Sequence, residues 1–170
     1  MERVLQVEDA DAQRNLLMTV VREGEAVTLR YRHSLYGGLV WEVLRVRGDR
    51  LVLEEVEAER EAALEYYQFA GKVLRMDGRF RVTGLDLAVR ELYVRATKLG
   101  GRTLIVRGRE LSLPGEGREG HLIRIRLSKH SLLWLLVRLL TQNPCHSLQE
   151  RDPGESVHCE SWEVGGGLDG

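Results

Sequence analysis

Residues 29–46 read LRYRHSLYGGLVWEVLRV, and this stretch decides the fold. Apolar and polar residues alternate on both sides of Gly37-Gly38, which is typical of two strands joined by a tight turn that needs positive φ. A two-residue turn predicts three facing pairs on one side of the sheet: Leu29 with Val46, Tyr31 with Leu44, and His33 with Glu42. Since most of these residues are apolar or aromatic, this side is predicted to face the core.

A second turn, Gly48-Asp49, extends the pattern to a third strand. A two-residue turn at this point keeps apolar residues opposite apolar residues, which supports the register. It also places Glu42 opposite Glu55. His33, Glu42 and Glu55 are therefore predicted to form one polar row across three strands, with neighbouring Cβ atoms about 5 Å apart.

Three interpretations of this polar row are open. A paired imidazole and carboxylate can simply hold a hairpin together, because buried polar groups are normally hydrogen-bonded. The row, with Ser34 next to it, can also bind a cation or a polar solute at the mouth of a small barrel. In the third interpretation Glu42 is a general base or His33 a proton shuttle, or the two carboxylates and the imidazole bind a catalytic metal.

The wider sequence predicts an all-β fold, either an antiparallel barrel or a two-sheet sandwich, because glycine-containing turns separate short alternating segments. The predicted strands are 3–8, 16–22, 26–35, 39–47, 50–57, 72–76, 79–83, 91–97, 103–107, 109–113 and 121–128. Helical spacing predicts a short helix over residues 58–69, after the third hairpin strand. It also predicts a C-terminal helix over residues 129–140, which buries Leu132, Leu133, Leu136 and Leu140.

Composition divides the chain at Leu140. The 170 residues carry a net charge of -1, with 43% hydrophobic and 30% charged residues, which excludes wholesale disorder and gives no nucleic-acid footprint. Residues 141–170 hold one basic residue, six acidic residues and both cysteines. We therefore predict a single β-rich domain over residues 1–140, closed by the C-terminal helix, and a flexible acidic tail over residues 141–170.

Two further groups of side chains are candidates for binding. The opposite side of the first hairpin presents three arginines that are predicted to dock on an acidic partner: Arg30, Arg32 and Arg45. The tail contains four possible metal ligands, Cys145, His146, His158 and Cys159. Adjacent ligands cannot easily reach one tetrahedral ion and the Cys-x-x-Cys spacing of structural zinc sites is absent, so no zinc site is predicted; a disulfide between the two cysteines is open in an oxidising compartment. Calcium loops, phosphate loops and nucleophile elbows are missing, so the sequence predicts no cofactor.

The chain resembles a bacterial and archaeal family that is known only as domain of unknown function family 1850. The resemblance rests on LRYRHS at 29–34, VWE at 40–42, LVLEE at 51–55 and the later hairpin LGGRTL at 99–104, within residues 3–128. The family's genes often lie beside tripartite solute transporters of the TRAP type, and its members commonly carry an export leader or anchor. The resemblance therefore implies an accessory, non-enzymatic role outside the cytoplasm, and it extends to His33, Ser34 and Glu42.

This chain departs from the family pattern in two places. Residues 59–67 read EREAALEYY where many members have a loop similar to Ser-x-Gly-Ala-Gly, so a pocket lined by that loop must differ here. Residues 1–11 contain acids instead of the apolar stretch of a leader, which favours a cytoplasmic location or a trimmed chain. The most apolar run, 132–140, is too short for a membrane span.

The sequence thus predicts a non-enzymatic accessory module that binds a small solute or ion, or docks on a transporter component. The predicted ligand-binding residues are His33, Ser34, Glu42 and Glu55. A metal-assisted hydrolase that uses the same row and a purely structural or interaction domain are the alternatives. Nucleic acid is not an expected partner.

Overall fold

The fold is described from a computed structural model, which covers residues 1–69, 72–131, 133, 134 and 137. These residues form eleven strands and one short helix. The strands are β1 (Glu2–Asp9), β2 (Arg14–Val21), β3 (Ala26–Arg32), β4 (Leu39–Arg47), β5 (Arg50–Ala58), β6 (Leu74–Met76), β7 (Arg79–Val89), β8 (Glu91–Arg95), β9 (Thr103–Val106), β10 (Arg109–Ser112) and β11 (Leu122–His130). The helix is α1 (Glu61–Tyr66), so the predicted all-β class is confirmed.

The strands form two antiparallel sheets. The smaller sheet has four strands in the order β2-β1-β11-β8, and the larger has seven in the order β10-β9-β3-β4-β5-β7-β6. Each sheet ends in two edge strands, so the described residues do not form the closed barrel that was one of the two predicted architectures. The larger sheet is built mainly from consecutive hairpins, whereas the smaller one joins the first strands to the last.

One hydrophobic core takes side chains from both sheets. The smaller sheet contributes Leu5, Val7 and Ile125, and the larger contributes Leu29 and Leu104, all at most 2% exposed. Burial alternates along β3 and β4, as period-two patterning predicts for strands with one face on a core. Val27, Leu29, Tyr31, Val40, Leu44 and Val46 all lie on the core-facing side.

The first hairpin is longer than the sequence predicted. Tyr31 pairs with Val40, four positions away from the predicted partner Leu44, and Glu42 pairs with Leu29 instead of His33. The chain turns between His33 and Gly38, whose backbone groups are hydrogen-bonded at 3.0 Å. The cause is local, because the His33 side chain accepts the Leu35 and Tyr36 amides and so stabilises a wider loop. A shift of four positions is even, so every side chain keeps its predicted face.

The second hairpin follows the predicted register only near its turn. Val46 pairs with Leu51 and Leu44 with Leu53, as predicted. A β-bulge then changes the register, so that Glu42 lies opposite Val56 and Glu55 lies opposite Val43. The extra residue in the bulge sends Glu55 to the face that points away from the core. The predicted row of His33, Glu42 and Glu55 is therefore wrong.

The helices differ from the prediction in extent. The short helix after β5 is confirmed, but α1 begins at Glu61, because Ala58 still belongs to β5 and pairs with Val40. The predicted start of a C-terminal helix at residue 129 is wrong, since β11 continues to His130. Leu133, predicted to be buried, is 72% exposed. Apart from residues 131, 134 and 137, the rest of that predicted helix and the whole predicted tail, including Cys145, His146, His158 and Cys159, lie outside the described residues.

Among the described residues, no helix combines the length and the apolar character that are needed to cross a membrane.

Candidate functional site

A carboxylate and two phenols form a hydrogen-bonded chain at one end of the larger sheet. The Tyr31 hydroxyl donates to Oε1 of Glu42 over 2.7 Å. The hydroxyl oxygens of Tyr31 and Tyr67 are 2.8 Å apart. Since Tyr31 uses its one hydroxyl hydrogen on Glu42, Tyr67 is the donor in the second bond. We call Glu42, Tyr31 and Tyr67 the carboxylate–phenol chain.

The register of the sheet explains why these side chains meet. Tyr31 on β3 and Glu42 on β4 are diagonal neighbours on the core-facing side, because Tyr31 pairs with Val40 and Leu29 with Glu42. Tyr67 directly follows α1, the helix that returns the chain from β5 over this end of the sheet. The helix is anchored by two buried side chains, Ala63 and Leu64. The site is thus positioned by two strands and one helix end.

Burial dominates the electrostatics of the chain. Burial raises the pKa of the Glu42 carboxyl, although the Tyr31 hydrogen bond and the positive charge of Arg102 act in the opposite direction. The pKa values of Tyr31 and Tyr67 are also raised, chiefly by burial, so both phenols stay protonated donors. Within the described part of the chain, Glu42 makes no ion pair within 4.0 Å, although Arg102 lies 5.4 Å from the centre of the Tyr31 ring.

His33 lies beside this chain in an aromatic cluster. Its ring centre is 5.8 Å from that of Tyr67, 5.4 Å from Tyr66 and 5.3 Å from Tyr36. Nδ1 accepts the Leu35 and Tyr36 amides, each over 3.2 Å, so the proton of the neutral imidazole is on Nε2. His33 is only 6% exposed, whereas Tyr36 and Tyr66 are 43% and 57% exposed. We call Tyr36 and Tyr66 the aromatic rim.

The structure brings together two of the four predicted ligand-binding residues. His33 and Glu42 lie in one neighbourhood, connected through Tyr67 and Tyr31 rather than facing each other. Ser34 is exposed in the hairpin loop. Glu55 lies on the other face of the sheet, 3.4 Å from Arg81. The described residues contain no group of three or more His, Cys, Asp or Glu side chains that could hold a metal ion.

The predicted arginine face is partly neutralised. Arg30 makes a two-bond contact with Glu110, at 2.8 and 2.7 Å. Arg45 lies 3.4 Å from Glu54 and also donates to the carbonyl of Gly24. Arg32 is exposed. Because two of the three guanidinium groups already have partners in the chain, this face offers less free charge to an acidic partner than the sequence suggested.

Sequence reasoning missed a second buried carboxylate. Asp9 is fully buried, and both of its oxygens lie within 3.1 Å of Nδ1 of His121, a residue 112 positions further along the chain. Burial alone would raise the pKa of Asp9, but the Ala12 amide and His121 outweigh it and the pKa is lowered. The only signal in the sequence is an aspartate ending an apolar strand, which does not reveal its partner.

The sequence also gave no signal for the carboxylate–phenol chain. The sequence predicted Tyr31 only as an aromatic residue of the core-facing side, and Tyr67 only as part of the short helix over residues 58–69. The core-facing position of Tyr31 is confirmed, because Tyr31 is only 6% exposed and belongs to the core cluster. What the sequence did not reveal is that their hydroxyl groups converge on Glu42.

The fold and this site define a two-sheet antiparallel β protein with a half-buried carboxylate that accepts a hydrogen bond from one tyrosine, which is itself bonded to a second. A family model described as Domain of unknown function (DUF1850) matches residues 27–113, about half of the chain, and the chain belongs to this family. The match spans the larger sheet but only β8 of the smaller one. Neither the curated proteins nor the solved structures gave a significant match.

Proposed function

We propose that this protein is a non-enzymatic binding module, folded as a two-sheet sandwich, that takes a small organic cation at the carboxylate–phenol chain. One observation carries the proposal. Glu42 is a half-buried carboxylate on the core-facing side, and within the described residues its single hydrogen bond comes from Tyr31. Its neighbours along β4, Val40 and Leu44, are buried apolar residues. Burial of an unpaired carboxylate costs free energy, so a partner for it is expected.

The contrast with other acids on the same sheet supports this interpretation. Glu54, Glu57 and Glu110 each contact an arginine. Glu42 has no such partner in the described residues, and its second oxygen is left with acceptor capacity. A ligand that supplies a positive charge would complete the site. An ammonium group is favoured because the rim residue Tyr66 packs against Tyr67, whose hydroxyl is bonded to that of Tyr31, and aromatic rings attract cations.

The resemblance to relatives that accompany tripartite transporters supports a solute as the ligand. In that setting the module would act as an accessory protein that holds a solute without changing it. His33 would contribute its Nε2 hydrogen to a polar group of the ligand, since its Nδ1 is occupied by two backbone amides. Transporter docking is a further part of this proposal and rests on the family resemblance alone.

Titration of the purified chain with tetramethylammonium chloride tests the proposed site. Isothermal calorimetry and NMR shifts of the tyrosine rings would follow binding, with sodium chloride at the same ionic strength as the reference. We expect saturable binding by the wild type and binding at least about ten-fold weaker in Glu42→Gln, equivalent to about 1.4 kcal/mol. Glu116→Gln, which removes an exposed carboxylate from the loop after β10, should bind like the wild type.

Two results would overturn the proposal. The wild type would show no saturable binding, or Glu42→Gln would bind as well as the wild type. Thermal unfolding of each variant without ligand shows whether the fold is intact. Because Gln can still accept the Tyr31 hydroxyl, Glu42→Gln is expected to fold. If Glu42→Gln changes the stability of the fold but not cation binding, the Tyr31–Glu42 pair serves only to stabilise the hairpin.

A further inference from the structure

A second cleft lies beside β11, at the opposite end of β4 from the carboxylate–phenol chain. Its volume is about 360 Å³, and six charged residues line it: Arg3, Asp49, Arg90, Glu91, Arg126 and Lys129. We call this cleft the cationic notch. We propose that it binds a small oxyanion, a carboxylate or a phosphate, independently of the organic-cation site.

The notch arises from the register of the smaller sheet. β8 pairs with β11 only from Leu122 to Arg126, because β8 begins at Glu91. β11 continues to His130 and stays paired with β1 on its other side. Among the described residues, no strand pairs with residues 127–129 on the β8 side. Alternate residues of such an edge direct their N–H and C=O groups outward.

The charges of the notch do not cancel. Four of the six charged residues are basic and two are acidic. Both acids are already engaged: Glu91 accepts the Tyr93 hydroxyl over 2.6 Å and lies 3.9 Å from Arg126, and Asp49 lies 3.9 Å from Arg50. Their charge is therefore offset in part by arginines, and the net charge that an entering ligand meets is positive.

Three donor groups in the notch lack an acceptor within the described part of the chain. The side chains of Arg90 and Lys129 are exposed and make no hydrogen bond or ion pair with any described residue. Arg126 has a shielded Nε without a hydrogen-bond partner, although it lies 3.9 Å from Glu91 through its terminal nitrogen. Arg3 differs, because it is paired with Glu23 at 2.9 Å. Most buried donors in proteins are satisfied, so an unsatisfied guanidinium N–H in a cleft calls for an explanation.

The chemistry of these donors selects the ligand class. A guanidinium group presents a planar fork of N–H groups that matches the two oxygens of a carboxylate or a phosphate. An ammonium group adds a compact charge that suits either anion. A cleft of about this volume holds a small molecule rather than an extended polymer. The notch also lies on β1, β8 and β11 together with two connecting turns, so rigid strands hold most of its residues.

Binding of inorganic phosphate and of citrate to the full chain tests the proposal. Calorimetry with each anion in low salt should show saturable binding that weakens as sodium chloride is raised, as screened charges require. The double variant Arg90→Gln/Lys129→Gln removes the two unpaired cations and should weaken binding at least ten-fold. The matched double variant Lys72→Gln/Lys98→Gln removes the same charge elsewhere and should stay within two-fold of the wild type.

Several outcomes would overturn the proposal. They are the absence of saturable binding with both anions, equal binding by the notch variant, and equal weakening in the matched control, which would indicate a response to net charge only. Preference for phosphate or for citrate identifies which oxyanion the notch favours. Phosphate or citrate binding should persist in Glu42→Gln. The proposal for the cationic notch can therefore fail or hold independently of the proposal for the organic-cation site.

Discussion

Removal of the Tyr31 hydroxyl tests whether the carboxylate–phenol chain stabilises the fold. Tyr31→Phe keeps the ring in the core and deletes the donor that lies 2.7 Å from Glu42. A hydrogen bond to a charged group contributes about 1.5–3 kcal/mol, and the carboxylate left behind has no other hydrogen bond from a described residue. We therefore expect the free energy of unfolding to fall by about 2 kcal/mol at neutral pH.

A double-mutant cycle isolates this contribution. Replacement of both groups, in Tyr31→Phe/Glu42→Met, removes donor and acceptor together and should recover most of the loss, to within about 1 kcal/mol of the wild type. Urea unfolding of the four proteins gives the coupling energy. Tyr93→Phe is the matched control, because its hydroxyl also donates to a glutamate, Glu91, but on an exposed surface. The free energy of unfolding of Tyr93→Phe should stay within about 0.5 kcal/mol of the wild-type value.

The pH dependence sharpens the test. The pKa of Glu42 is raised by burial, so acidification neutralises this carboxyl before an ordinary glutamate. A neutral carboxyl costs less to bury, and the loss in Tyr31→Phe should shrink toward the value of about 1 kcal/mol for a neutral hydrogen bond. A coupling energy below about 0.5 kcal/mol at neutral pH, or one that does not change with pH, would refute the reasoning.

Four further outcomes are expected. Glu42 keeps its proton in the folded state at pH values where an unfolded glutamate, near 4.5, loses it; its stabilising contribution is complete below that pH and is lost as pH rises through the folded pKa, and urea titrations should show that Glu42→Gln lacks this decline. Asp9 behaves oppositely, because its pKa is lowered from 3.8 and its stabilising contribution with His121 is present above that pH and lost below it. Asp9→Asn should therefore be less stable than the wild type by about 1–3 kcal/mol at neutral pH, and its free energy of unfolding should change less with pH in acid. Glu55→Gln should leave organic-cation binding within two-fold of the wild type, since Glu55 lies on the other face; a larger loss would place it at the site. Gly38→Ala should cost at least about 1 kcal/mol in urea unfolding, because φ is +73° and the new Cβ would lie 3.0 Å from a side chain at the start of α1; an unchanged midpoint would contradict this.

The sequence predicted which faces point to the core but not which residues meet across the strands. Alternation fixed the core-facing side of β3 and β4, and that assignment holds because the real register differs by an even number of positions. The pairing itself depended on the loop, and the capping of two amides by His33 has no signature in hydrophobic periodicity. Hydrophobic periodicity therefore does not predict that the His33 side chain stabilises the loop in which it lies.

The bulge in β5 was equally invisible to periodicity. Alternation through Leu51 and Leu53 continues to predict an inward Glu55, and only the structure shows that the extra residue reverses it. Contacts between distant segments of the chain are even harder to predict from local sequence patterns. The proximity of Asp9 to His121 depends on β1 pairing with β11, which no local pattern encodes. Local patterning thus found half of the candidate site, and register decided the rest.

The pairing of β1 with β11 has a consequence for synthesis of the chain. The Asp9 strand can find its partner only after residues 122–130 have left the ribosome, because all eight of its pairs with β11 involve that segment. The hairpins of β3, β4 and β5 can form much earlier from neighbouring residues, since their contacts are local. Nascent chains would thus carry the apolar β1 and β2 strands unpartnered with β11 for most of translation, when aggregation is the main hazard.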